Sequence, residues 1–143
     1  MVNNNDFEEN EISEFLKISS ILGKNKHLIQ GAGGNTSIKN NNNLFIKASG
    51  TCLKDSRDKN IFLETDLNNI RNKIERNIDD NFISDVMSNS DLRPSIETSF
   101  HALIEHKYVL HVHSISSLAN SIYEDSFSIL RNQLKENFCY VPY

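Results

Sequence analysis

Cysteine is scarce in this sequence. The two present, Cys52 and Cys139, stand far apart and form no CxxC pair. A disulfide framework is therefore not expected, and a reduced cytoplasmic protein is the simple reading. Long apolar runs are missing as well. The longest cover only a few residues, too short to span a bilayer, so no membrane partner is expected. Residues Met1 to Asn10 are rich in Asn and acid, without the basic start and apolar core of a signal peptide. They are expected to form a disordered N-terminus. Acids and bases are interleaved at a net charge of -4, and no basic patch occurs. Nucleic acid is thereby disfavoured as a partner.

What is there suits one soluble domain over residues 11–143. The chain has 143 residues, 38% of them hydrophobic and 24% charged, which is enough to bury a core. Ile12, Phe15, Leu16, Ser19 and Leu22 recur at helical spacing, which predicts a helix from Glu11 to Leu22 stopped by Gly23. Thr36 to Lys39 and Leu44 to Ala48 read as two hairpin strands. The asparagines Asn40 to Asn43 make the turn between them, because Asn tolerates left-handed backbone. Ile61 to Glu64 is a third strand. Asp66 caps a helix through Leu67, Ile70 and Ile74. Asn77 to Leu92 is polar and reads as a loop with a helical piece.

Pro94 suits a helix start, so Ser95 to Ile104 is predicted helical, with Ile96, Phe100, Leu103 and Ile104 as its apolar positions. Tyr108 to His113 is a strand, Ser114 to Ile122 and Phe127 to Leu134 are helices, and Phe138 to Val141 is a last strand. Strands and helices are mixed, giving an α/β class. The early hairpin favours an antiparallel or mixed sheet over a βαβ array.

Three constellations carry chemistry. In His111-Val112-His113, residues two apart on a strand share a face, so the two imidazoles project together while Leu110 and Val112 point into the core. Paired imidazoles are the usual start of a zinc site, though two ordinary polar residues on a half-buried strand would read the same. Glu97 offers a third ligand or a general base. Its plainer reading is a first-turn acid that complements the helix dipole. His101, four residues on, reads as a structural, hydrogen-bonded histidine, and His27 and His106 as surface residues.

The turn Gly31-Ala32-Gly33-Gly34-Asn35-Thr36-Ser37 lacks the third glycine of a dinucleotide fingerprint and the Lys of a P-loop. Such a turn still presents backbone N–H groups to an anion. Ser49-Gly50-Thr51 is a second small polar turn, and Ser95 supplies a hydroxyl at a helix start. Each alone is an ordinary turn. Beside a metal candidate, the three together suggest a phosphorylated substrate.

The order GAGGNTSIK, KASGT, PSIETSFH, VLHVHS resembles the class II aldolase/adducin family from about Leu16 onward. That family includes fuculose- and rhamnulose-phosphate aldolases, ribulose-phosphate 4-epimerases and methylthioribulose-phosphate dehydratases. The resemblance implies a layered α/β/α domain with a largely antiparallel central sheet. It also implies a zinc-type divalent metal. His111 and His113 match the first two of three metal histidines, and Glu97 matches the catalytic acid/base. Gly34, Asn35, Ser49, Gly50 and Ser95 match positions that bind substrate phosphate.

The implied reaction is retro-aldol cleavage of a ketose phosphate by a homo-oligomer, a tetramer in the family. The epimerase and dehydratase reactions of relatives use much the same site, and a non-catalytic adducin-like interaction module is the alternative from another class. No histidine follows His113. The resemblance thus implies a domain that is C-terminally incomplete, lacking the third metal histidine and weaker in activity.

Overall fold

A computed structural model describes residues 7–135 and 138–141. The first helix, α1 (Glu9–Lys24), turns Phe15, Ser19 and Ser20 inward. It begins inside the stretch expected to be disordered. Phe7, just before it, reaches the Phe45 ring at 6.5 Å. Met1 to Asp6 lie outside the described residues. Gly23 does not stop the helix but lies within its last turn. A Cβ there would meet Lys54 N at 2.1 Å and Leu53 C at 2.4 Å, so α1 and the 3-10 turn Leu53–Asp55 touch backbone to backbone.

Four strands follow: β1 (Asn35–Lys39), β2 (Asn43–Lys47), β3 (Phe62–Asp66) and β4 (Tyr108–His111). They form one sheet in the order β3-β2-β1-β4, every pair antiparallel. The β1–β2 turn is made by a side chain and not by left-handed backbone. Asn40 Oδ1 accepts from Asn42 N at 2.8 Å and Asn43 N at 2.7 Å, and no asparagine of the turn has positive φ.

The sheet is covered on both faces, which makes the α/β/α layering. On one face, α1 buries Phe15 against Phe45 and Phe62, ring centroids 6.2 and 5.1 Å away, with Ile29, Ile38 and Leu53 around them. Each such fully buried side chain stabilises the fold by roughly 1.5–3 kcal/mol. On the other face lie α2 (Leu67–Glu75) and α3 (Thr98–Leu103), over a core of Leu44, Ile46, Leu67, Ile70, Phe82 and Ala102. Asp66 caps α2 as expected, its carboxylate accepting from Asn69 N at 2.8 Å. The loop from Asn77 contains one 3-10 turn, Ile83–Asp85. It is anchored where Lys73 meets buried Asp85 at 2.7 Å and Asp80 at 2.5 Å.

The helix expected from Ser95 starts only at Thr98, and its inner face is Thr98, His101 and Ala102. Ile96, Phe100 and Leu103 are exposed, against expectation. The reason lies in β1. Its residues facing α3 are Asn35, Ser37 and Lys39, so α3 meets them with hydroxyl, imidazole and small side chains instead of apolar ones. Lys39 Nζ donates to His101 O at 2.8 Å, and Arg71 Nε to Ala102 O at 2.9 Å. These two cations satisfy carbonyls that the end of a short helix leaves open.

Leu110 likewise stays half-exposed on β4, the edge strand, while Val109 is buried and Val112 packs on the α1 side. The chain then forms α4 (Ile115–Ser121), capped by Ser114, and α5 (Ser126–Leu134). Phe138 to Val141 is not a strand. Phe138 and Tyr140 fold back onto the Phe127 ring at 6.2 and 5.4 Å, and that local packing replaces any ladder.

Candidate metal and anion site

Antiparallel pairing fixes the site. Asn35, the first residue of β1, faces His111 at the end of β4. The chain leaves β4 in extended form, and His113 N donates to Leu28 O at 2.8 Å. This keeps His113 two positions beyond His111 on the same side, with ring centroids 4.9 Å apart. The glycine turn lies directly underneath. A Cβ on Gly33 would stand 3.0 Å from His113 Nδ1, and one on Gly34 3.0 Å from His111 O and 2.1 Å from Ile29 Cδ1. Gly34 also has φ +69°, a backbone region that side chains other than Asn and Asp rarely adopt. The glycines thus serve a packing purpose beside the two histidines, independent of any anion.

Glu97 enters from the turn before α3. Its Oε1 lies 2.9 Å from His111 Nδ1. That nitrogen is buried and makes no aligned hydrogen bond. Glu97 Oε2 accepts from Ser95 Oγ at 3.3 Å, and Glu97 N donates back to Ser95 Oγ at 3.3 Å. One ligand atom from each of Glu97, His111 and His113 can be chosen so that all lie within 4.8 Å of one another. Two nitrogens and a carboxylate oxygen at this spacing suit a divalent cation of the zinc type. The unaligned His111 nitrogen is the observation that fits such an ion, because a buried polar atom ordinarily has a partner.

His101 stands behind this group as a fully buried histidine, with Nδ1 2.8 Å from Ser37 Oγ. Burial pushes its pKa down to about 4, opposed by the Glu97 charge and assisted by His111 and Lys39. The unfolded chain protonates near the ordinary value, so between about 6.5 and 4 it binds more protons than the folded one. Stability from neutral His101 is complete above about 6.5 and is lost as pH falls toward 4. Urea unfolding of the metal-free protein at a series of pH values should show that slope, and His101→Gln should flatten it. Equal slopes in the two proteins would remove His101 as the cause.

The residues expected to contact phosphate converge on the same corner. Asn35 is buried; its Nδ2 donates to Lys47 O at 3.5 Å, and its Oδ1 has no hydrogen-bond partner. Ser49 and Gly50 are exposed in the turn after β2, and Ser49 N donates to Arg93 O at 2.9 Å. A bridge between Ala48 and Pro94 places that turn next to Ser95. His27 and His106 are exposed and lie outside the cluster. Cys52 and Cys139 are free. Among the described residues, no helix is long and apolar enough to cross a membrane.

An α/β/α domain with an antiparallel sheet and a Glu-His-His cluster against a glycine turn defines a class II aldolase-type domain. Residues 13–143 match the Class II Aldolase and Adducin N-terminal domain model, and the chain belongs to that family. It is similar to the protein named Uncharacterized oxidoreductase YuxG of Bacillus subtilis (strain 168), at 27% identity over 147 residues. That match takes in 92% of this chain but 21% of the relative, so the chain spans about a fifth of the curated protein's length. Among solved structures it resembles the N-terminal class II aldolase domain of a conserved protein from Thermoplasma acidophilum. There the TM-score is 0.72 at 24% identity, covering 92% of this chain and 70% of that one.

Proposed function

We propose that this domain is the metal- and phosphate-binding part of a lyase that cleaves a ketose phosphate by a retro-aldol reaction. The observation that carries the reading is the 4.8 Å cluster of Glu97, His111 and His113 beside the two small turns. Zn2+ or another divalent ion is the cofactor, held by His111 and His113 with Glu97 alongside. When bound, it supplies Lewis acidity toward the substrate's carbonyl and neighbouring hydroxyl oxygens. Gly34, Asn35, Ser49, Gly50 and Ser95 orient the phosphate. Glu97, steadied by Ser95, takes the proton from the hydroxyl whose carbon–carbon bond breaks and returns one to the new carbanion carbon. A sugar-phosphate substrate, a cytoplasmic setting and a homo-oligomer, a tetramer as the family resemblance implies, complete the reading.

Oxidoreductase chemistry, suggested by the relative's name, finds less support. The glycine turn leads into β1 and not into a helix, so its N–H groups lack the helix N-terminus that dinucleotide phosphates use. A screen of ketose phosphates with added zinc tests the proposal. Cleavage should fall about 10²–10⁴-fold in Glu97→Gln, the usual contribution of a positioned acid/base, while zinc stays bound. No cleavage of any ketose phosphate by a longer, zinc-loaded protein that carries this domain would end the aldolase reading.

A further inference from the structure

A cationic cleft lies at the far end of β1 from the metal cluster. Asn35 starts that strand and Lys39 ends it, roughly 13 Å further on at the rise of an extended chain. The cleft encloses a volume of about 420 Å³ and is lined by Lys39, Arg71, Lys107 and Glu105 and by the turn at Asn40 and Asn41. Three elements bring the cations together. β1 ends at Lys39, the middle of α2 carries Arg71, and Lys107 stands just before β4, where its carbonyl accepts from Lys39 N at 2.8 Å.

Only one of the three charges is matched. Lys107 Nζ lies 2.5 Å from Glu11 Oε1. Among the described residues, Lys39 and Arg71 make no ion pair, and Glu105, the acid of the lining, pairs with neither. Lys39 is only 4% exposed. Burial, and then the Arg71 charge, push its ammonium down to about 8. Two like charges at the edge of the core cost free energy until a counter-charge joins them.

Their protein contacts do not call for charge. Each spends one N–H on a carbonyl at the end of α3, Lys39 Nζ on His101 O and Arg71 Nε on Ala102 O. A neutral amide would serve either carbonyl as well. Among the described residues, the other N–H groups of the ammonium and the guanidinium have no protein acceptor. A planar guanidinium fork beside an ammonium suits an oxyanion, which can accept from both at once.

We propose that this cleft binds a small, doubly charged oxyanion of the phosphate type between Lys39 and Arg71, at a site separate from the corner beside the metal cluster. The inference depends neither on the metal cluster nor on the lyase reading.

The test follows backbone amide shifts of the full chain by NMR as inorganic phosphate is added to wild type, Arg71→Gln and Lys59→Gln. Arg71 is half-buried, and Gln keeps a donor there. Lys59 is an exposed cation that does not line the cleft. Wild type should show saturable shifts at residues 39–41, 71 and 105–107. Arg71→Gln should weaken that binding about tenfold or more, the size of one lost charge-assisted hydrogen bond, and Lys59→Gln should match wild type.

The same shifts with sodium chloride at equal ionic strength, or equal weakening in Lys59→Gln, would mean general screening and overturn the proposal. So would a folded Arg71→Gln that binds phosphate like wild type. Shifts confined to residues 31–34 and 49–51 would overturn the cleft site and leave the proposed function standing. Should Arg71→Gln not fold, the wild-type shifts decide: saturation at the cleft with phosphate and not with chloride supports the site, and its absence overturns it.

Discussion

His111→Ala should abolish zinc binding. Of the three groups in the cluster, His111 is the one that lies beside both of the others. Its Nδ1 lies 2.9 Å from Glu97 Oε1 and its ring is 4.9 Å from that of His113. Removing it leaves one imidazole and one carboxylate, too few to hold zinc against water. Removing a group that merely hydrogen-bonds to a metal ligand typically costs about 10–100-fold in metal affinity, so loss of a ligand itself should exceed about a hundredfold. Glu97→Gln keeps both imidazoles and should weaken zinc less. Titration calorimetry of the three proteins checks this. Equal zinc affinity in wild type and His111→Ala would move the metal elsewhere and undo the central assignment.

The second large effect concerns stability. Gly23→Ala should destabilise the domain strongly, although Gly lies inside a helix where Ala is normally better. The intrinsic gain from the substitution is about 1 kcal/mol. Against it, the new Cβ would stand 2.1 Å from Lys54 N and 2.4 Å from Leu53 C, both backbone atoms. No rotamer change can relieve that contact, so α1 must move off the Leu53–Asp55 turn and loosen Phe15, Leu53 and Phe62 together. Overpacking costs typically 1–3 kcal/mol and more when it cannot relax, so a net loss of about 2 kcal/mol or more is expected. Gly50→Ala is the control. A Cβ there meets nothing within 4 Å, and only its positive φ resists. Urea midpoints rank the two, and a Gly23→Ala protein as stable as wild type would mean that α1 does not approach Leu53 this closely.

Much of the fold was legible locally. The amphipathic period around Phe15, the Asp66 cap, the asparagine turn and the alternation in Val109-Leu110-His111 are short-range signals, and the elements they predict are present within a few residues. Errors arose where a neighbour across space set the environment. Ile96, Phe100 and Leu103 have helical spacing, yet they face out, because β1 offers Asn35, Ser37 and Lys39 where an apolar surface was assumed. Phe138 to Val141 has strand composition, but an aromatic contact with Phe127 claims it.

For the site the division is similar. Residue types and spacing by themselves determined that His111 and His113 would share a face, that Glu97 was near enough in sequence to join them, and that two glycine turns flanked the first hairpin. Side-chain alternation along a strand is a property of the backbone, so one strand suffices to read it. The tertiary structure alone decided that Asn35 lies opposite His111, that Gly33 is crowded by Gln30 and His113 and Gly34 by Ile29 and the His111 carbonyl, and that Lys47 ties one turn to the other. Those facts depend on which strands pair and in what register. Register is set by the burial of Phe15, Phe45 and Phe62 on one face and Leu44 and Ile46 on the other, a many-body packing that no local stretch of sequence records.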